Sequence, residues 1–109
     1  MAFDTQLAET VRRDLAHLPG ISEKRMFGGL CFLWHGNMLC GVDRDGLMYR
    51  VGKDNEADAL AIDGAAPMQF TGRKMGGFIE VDEDAAQDSG RRQQWLDLAL
   101  TFVGGLPAK

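Results

Sequence analysis

The chain has 109 residues, of which 45% are hydrophobic and 26% charged, a composition typical of one folded domain rather than of a disordered segment. Its formal net charge of −4 argues against a dedicated nucleic-acid binder, because such proteins usually carry a basic excess. No export signal opens the sequence, and its longest apolar runs are shorter than a membrane span. We therefore expect a single cytoplasmic domain over residues 1–109, with both cysteines as free thiols.

The first predicted element is an amphipathic helix over residues 4–18, where apolar side chains recur at spacings of three and four. Asp4 is a suitable N-cap, and Pro19-Gly20 ends the helix. We expect the apolar stripe of this helix to pack on the core of the domain.

From Lys24 to Val51 the hydrophobic period changes to two, which predicts three antiparallel strands. Gly36-Asn37 and Asp45-Gly46 are expected to form two-residue hairpin turns that set the register. The segment Lys24–Phe27 is expected to extend the first strand, with a bend or bulge at the glycines that follow it. This register gives one face eight side chains: Cys31, Leu33, Met38, Cys40, Val42, Leu47, Tyr49 and Val51.

The other face of the predicted meander carries five large apolar side chains: Leu30, Phe32, Trp34, Leu39 and Met48. That face is too apolar to be fully solvated, so either helices of this chain or another chain must cover it. We predict that these five residues form an oligomer or partner face.

A short second helix is predicted from Asp54 to about Ile62, and a last helix from about Gly90 to Val103. Two further short strands, over Pro67–Phe70 and Phe78–Val81, lie between these helices. The expected fold is therefore α+β, a two-layer antiparallel sheet with helices in the order α-β-β-β-α-β-β-α.

The residue types that usually carry catalysis or bind metals form no recognisable pattern. Cys31 and Cys40 lack CxxC spacing, and Cys31 is separated from His35 by four strand positions, roughly 13 Å. Ser22 and Ser89 have no neighbouring histidine to act as a base. We predict a non-enzymatic protein with no catalytic residue, no metal and no cofactor.

A basic–Met–Gly-Gly phrase occurs twice, as Lys24-Arg25-Met26-Phe27-Gly28-Gly29 and as Arg73-Lys74-Met75-Gly76-Gly77-Phe78. If the fold brings the four cations together, Lys24, Arg25, Arg73 and Lys74 form an anion- or partner-binding patch. Alternatively, they are solubilising surface charges or guards on edge strands.

Several phrases, taken in order along the chain, resemble the TfoX/Sxy N-terminal domain family. They are Lys24–Gly29, Gly36-Asn37-Met38, Leu47–Gly52, Pro67–Arg73 and Met75–Phe78. The resemblance implies a bacterial protein with an antiparallel two-layer fold of the kind seen in secretion-chaperone-like domains. Founding members of this family regulate natural competence together with other transcription regulators, and they carry a second, C-terminal domain.

Our leading hypothesis is therefore a stand-alone TfoX-N-like protein that acts through protein–protein contact, in a regulatory role and as a homodimer. The alternative is a module that binds nucleic acid or an anionic ligand through the basic residues, although the net charge disfavours nucleic acid. A third hypothesis, an enzyme with an unrecognised site, requires a deep pocket lined by titratable groups with shifted pKa values. No membrane partner is expected.

Overall fold

The structure, a computed structural model, describes residues 3–26, 28–44, 46–70 and 72–108. Its helices and strands, in chain order, are α1 (Thr5–Asp14), β1 (Ile21–Met26), β2 (Gly29–Trp34), β3 (Asn37–Val42), β4 (Gly46–Arg50), α2 (Glu56–Leu60), β5 (Ala65–Phe70), β6 (Arg73–Asp82) and α3 (Ser89–Val103). The strands form one antiparallel sheet in the order β1-β2-β3-β4-β6-β5. The predicted α+β class and element order are confirmed.

Local capping explains where the two longer helices begin. The Asp4 carboxylate accepts hydrogen bonds from the backbone N–H groups of Gln6 and Leu7, at 2.9 and 3.1 Å. The Asp88 carboxylate accepts one from Arg91 N at 3.1 Å, at the start of α3. In both places a side-chain oxygen satisfies backbone donors that the first helical turn leaves unpaired.

All three helices lie on the same face of the sheet, which we call the helix-covered face. Trp95 of α3 is fully buried there, and its indole N–H donates to Ala59 O of α2 at 3.1 Å. The strand side chains that pack with the helices are mostly branched or aromatic: Leu30, Phe32, Leu39, Cys40, Val42, Leu47, Tyr49, Val51, Ile79 and Val81. The main core of the domain is therefore the layer between the sheet and the helices.

The first hairpin corrects the predicted turn by one residue. Trp34 pairs with Asn37, so the turn residues are His35 and Gly36, with φ values of 52° and 84°. Positive φ at both central residues is the geometry of a type I′ hairpin turn. This shift changes the first pairings by two positions, so Leu33 still shares a face with Met38, as predicted.

A β-bulge at Leu39 reverses the predicted alternation, so that Cys40 and Val42 lie on the face opposite to Met38 and Cys31. Leu33 pairs with Met38 and Phe32 with Cys40, which leaves Leu39 as an extra residue between the two pairs. The prediction that Cys31 and Cys40 share a face is therefore wrong. Cys31 faces away from the helices, whereas Cys40 lies in the main core.

The second hairpin differs from its predicted register by two positions, which leaves the faces unchanged. Val42 pairs with Leu47 and Cys40 with Tyr49, where the turn had predicted partners two residues further along. A shift of two preserves side-chain alternation, so the predicted common face for Val42, Leu47, Tyr49 and Val51 is confirmed.

The expectation that Lys24–Phe27 extends the first strand of the meander is wrong. Ile21–Met26 forms a separate edge strand, β1, which pairs antiparallel with β2 and brings Met26 opposite Gly29. Gly28, in the connection between them, has φ of 74°, a value that glycine adopts readily. Phe27 lies outside the described residues.

Candidate functional site: a methionine-lined sheet face

The face of the sheet opposite the helices is lined by sulfur-containing side chains. Five of the six methionines in the sequence contribute to it. We define the methionine face by the seven residues of this second cluster: Met26, Cys31, Met38, Met48, Met68, Met75 and Phe78. All seven lie on strands, whereas the buried apolar side chains of the three helices belong to the core on the other face.

Strand register explains why these residues meet. One row of directly paired residues crosses the sheet from β1 to β6. Its members, in strand order, are Lys24, Cys31, Gly41, Met48 and Glu80. Residues paired directly across antiparallel strands project to the same side. A Cβ on Gly41 would collide with the side chain of Met48, so the missing side chain leaves the space that the thioether occupies.

Burial within this cluster is graded. Cys31, Met48 and Met68 are 0%, 2% and 5% exposed, whereas the other four members are only partly buried. The outer layer therefore consists of Met26, Met38, Met75 and Phe78, and they present thioether groups and one ring to the solvent. Methionine is unbranched and polarizable, so such a layer can adapt its shape to another surface.

Cys31, beneath this layer, is a buried thiol. Burial raises its pKa from 9.0 to about 11, because the apolar surroundings disfavour the thiolate. Its Sγ makes one weak contact, a donation to Met26 O at 3.9 Å. The group is therefore protonated at neutral pH, and it contributes packing to the face.

The predicted partner face is not a single face in the structure. Leu30, Phe32 and Leu39 are buried in the main core, and only Met48 belongs to the methionine face. Trp34 is partly buried against the main core, and its indole N–H donates to Pro19 O at 3.0 Å. The prediction was wrong because it did not include the bulge at Leu39, beyond which β2 pairs with β3 one position away from the predicted register.

The four predicted basic residues are divided between two strands and different environments. Lys24 is in register with Cys31, but Arg25 is in register with Leu30 and packs over the Phe3 ring at 5.6 Å. Arg73 and Lys74 lie on β6, where Lys74 pairs with Glu56 at 3.0 Å. The structure therefore does not place the four cations together as one set.

Sequence reasoning interpreted the methionines as separate core-filling residues and missed the face that they form. The available signal was that five methionines fall on predicted strands or beside them. Assigning them to one face requires the register of every strand pair, and the sequence does not specify the bulges in β3 and between β5 and β6.

The comparison with known families agrees with this architecture. The family model described as TfoX N-terminal domain matches residues 13–103, which include all six strands, α2, α3 and the end of α1. The chain belongs to the TfoX N-terminal domain family. The resemblance inferred from the glycine-containing phrases is thus confirmed. No curated protein and no solved structure matches this TfoX N-terminal domain.

Two other features are absent from the described part of this TfoX N-terminal domain. Over residues 3–26, 28–44, 46–70 and 72–108, no group of three or more His, Cys, Asp or Glu side chains is arranged to hold a metal ion. Within the same ranges, no helix combines the length and the apolar composition needed to cross a membrane. The TfoX N-terminal domain family is not known as a family of enzymes.

Proposed function

We propose that this TfoX N-terminal domain is a non-enzymatic interaction module that binds a second copy of itself through the methionine face. The observation that carries the proposal is the gathering of five methionines, Cys31 and Phe78 on the sheet face opposite all three helices. A regulatory role, as the family resemblance implies, requires a binding face of this kind.

The size of the face supports a dimer of moderate affinity. Six adjacent strands at the usual spacings, each counted over about five to six positions, cover roughly 500 Å² in projection. A standard protein interface buries about 800 Å² on each partner, so the face and its rim approach the lower end of that class. We therefore expect a dissociation constant in the micromolar range rather than an obligate dimer.

The row of paired residues that contains Cys31 and Met48 has a positive charge towards one edge of the sheet and a negative charge towards the other. These charges favour a second copy of the chain as the partner that binds the methionine face. Lys24 lies on β1 at one edge of the sheet, and Glu80 lies on β6 towards the other edge, in the same row as Met48. Two copies facing each other about a two-fold axis parallel to the strands place Lys24 of each copy near Glu80 of the other. The face is thus complementary to itself in charge as well as in apolar character.

Analytical ultracentrifugation over a concentration series from about 1 μM to about 1 mM tests the proposal. We expect a reversible dimer for the unmodified protein, and at least roughly tenfold weaker association for Met38→Glu, because the variant places a charge in the apolar contact. Leu98→Glu is the matched control, since Leu98 is also partly buried but lies on α3. A monomer at every concentration, or equal weakening by both variants, would contradict the proposal.

A charge exchange tests the orientation of the two copies. Lys24→Glu and Glu80→Lys should each weaken the dimer, because like charges then oppose each other, and the double variant should recover association. Since Glu80 also accepts a hydrogen bond from Gln69 N at 3.0 Å, circular dichroism must show that each variant remains folded. Folded variants with additive losses would exclude this arrangement.

A further inference from the structure

The second glycine phrase lies beside a pocket that is distinct from the centre of the methionine face. The pocket has a volume of about 250 Å³ and opens where the end of β4 meets β6 and α3. Its lining combines two cations, two aromatic rings and three glycines: Arg50, Lys53, Phe78, Phe102, Gly52, Gly76 and Gly77.

Two of these glycines allow the chain segments to cross closely. Gly52 and Gly77 have φ values of 83° and 84°, and the backbone N–H groups of Val51 and Gly52 both donate to Gly77 O, at 2.9 and 3.0 Å. A Cβ on Gly77 would lie 3.3 Å from Gly52 Cα, and one on Gly52 would collide with the Phe102 ring. The shape of the pocket therefore depends on the missing side chains.

Arg50 is held in this pocket by aromatic contacts. Its guanidinium carbon lies 5.8 Å from the centre of the Phe78 ring and 5.5 Å from the centre of the Phe102 ring. Among the described residues, Arg50 forms no ion pair and no hydrogen bond. Because rings contact the guanidinium through their faces, the planar fork of N–H donors keeps its capacity to bind an acceptor.

Lys53 supplies a second positive charge. Its side chain passes over Gly76, where a Cβ would lie 3.0 Å from Lys53 Cε, and it has no ion pair within the described ranges. The Glu56 carboxylate, which accepts from Gly77 N at 3.4 Å, pairs with Lys74 at 3.0 Å. Since Lys74 offsets the charge of Glu56, Arg50 and Lys53 leave the pocket with an excess of two positive charges.

We propose that this pocket binds a small oxyanion, a carboxylate or a phosphate group, carried by a ligand with an apolar part. Arg50 binds two of the anion's oxygens through its fork, and Lys53 adds a point charge from the rim. Phe78 and Phe102 orient Arg50 and contact the apolar part of the ligand. The volume lies just below the usual range for ligand pockets, which suits a small ligand.

Titration of the ¹⁵N-labelled protein with inorganic phosphate and with benzoate, followed by NMR, tests the site. We expect saturable shifts centred on the amides of Gly52, Gly76 and Gly77. Saturation by phosphate alone would assign a phosphate ligand, and tighter binding of benzoate would assign an aromatic or apolar carboxylate. The absence of saturable shifts with either probe would overturn the proposal.

Three variants separate a built site from general charge attraction. Arg50→Gln should weaken binding at least tenfold, and Arg50→Lys should weaken it less, because it keeps the charge but loses the fork. Arg44→Gln removes the same charge from an exposed position near the other end of β4, roughly 20 Å along the chain, and should change affinity less than about twofold. Equal losses for Arg50→Gln and Arg44→Gln would also overturn the proposal.

The anion site and the proposed dimer can fail separately. Phe78 contributes to both regions, and Arg50, its partner on β4, lies at the rim of the methionine face without being one of its seven residues, whereas Met38 lies outside the pocket. Met38→Glu should therefore leave phosphate or benzoate affinity unchanged, and Arg50→Gln should weaken the dimer much less than Met38→Glu does. A large change in both measurements with either variant would show that the two sites are coupled.

Discussion

The two faces of the sheet bury apolar surface in different ways. The helix-covered face packs branched and aromatic side chains beneath three helices, with Trp95 and Phe32 fully buried. Among the described residues, the apolar side chains that pack with Cys31 and Met48 on the methionine face all belong to strands. Branched and aromatic side chains have few rotamers and specify one arrangement, whereas methionine adapts to its neighbours. The comparison indicates that the helix-covered face stabilises the fold and that the methionine face is suited to contact with another molecule.

The helix layer also contains a buried ion pair that ties its elements together. Arg92 of α3 is 8% exposed, and its Nε donates to the Asp14 carboxylate at the end of α1, at 2.8 Å. The same guanidinium donates to Ala86 O at 3.0 Å. On the methionine face, the seven cluster residues carry no charged side chain. The hydrogen-bonded Asp14–Arg92 ion pair therefore belongs to the helix-covered face.

The largest expected difference between the faces concerns single core positions. Phe32→Ala should lower the free energy of unfolding by about 3–5 kcal/mol, because it leaves a large cavity under the helices. Met48→Leu nearly conserves volume on the adaptable face and should cost less than about 1.5 kcal/mol. Urea denaturation measures both values, and similar losses would contradict the contrast between the faces.

Next in size is the loss of the buried ion pair. Arg92→Met should cost about 2 kcal/mol, less than for a fully enclosed pair because the Asp14 side chain is 25% exposed. Arg12→Met is the matched control: Arg12 pairs with Glu23 at 2.7 Å on the surface and should contribute less than about 1 kcal/mol. The double variant Asp14→Ala/Arg92→Met should recover part of the loss, and strictly additive unfolding energies would count against a direct interaction.

The smallest effect on stability is expected for substitutions of the two cysteines. Because one cysteine lies on each face of the sheet, their rates of chemical labelling also compare the two faces. Burial raises the pKa of the Cys31 thiol to about 11 and raises that of Cys40, under the helices, further. Cys31 should react with iodoacetamide before Cys40, because only strand side chains must move to expose it. Its rate should rise about tenfold per pH unit between about pH 7 and pH 10, as the thiolate fraction grows.

Labelling of the variants Cys31→Ser and Cys40→Ser shows which of the two rates belongs to which cysteine. Faster reaction of Cys40 than of Cys31 would contradict the expectation that the helix-covered face is the more rigid one.

The raised pKa of Cys31 also sets the sign of a stability change. The folded protein keeps this proton above the unfolded value of 9.0, so the contribution is complete below that pH and is lost as the pH rises towards about 11. Cys31→Ser should remove this part of the alkaline destabilisation.

The two copies of the basic–Met–Gly-Gly phrase show how far local sequence reaches. In the first copy, Gly28 lies in the connection between β1 and β2, and a Cβ there would meet no atom within 4 Å. In the second copy, Gly77 lies inside β6 and packs against the backbone of Gly52. Similar residues thus form a turn in one place and a close chain crossing in the other. Only the segment opposite each phrase decides which of these occurs.

By itself, the sequence determined the element order, the cap at Asp4, the antiparallel class and the family, because periodicity, capping and motif order are local properties. Tertiary structure alone decided which side chains share a face. A one-residue change in the first turn keeps the alternation of side chains, but the bulge at Leu39 reverses it between Met38 and Cys40. It also brought Arg50 between Phe78 and Phe102, since contacts between residues so distant along the chain exist only after the strands and α3 have packed.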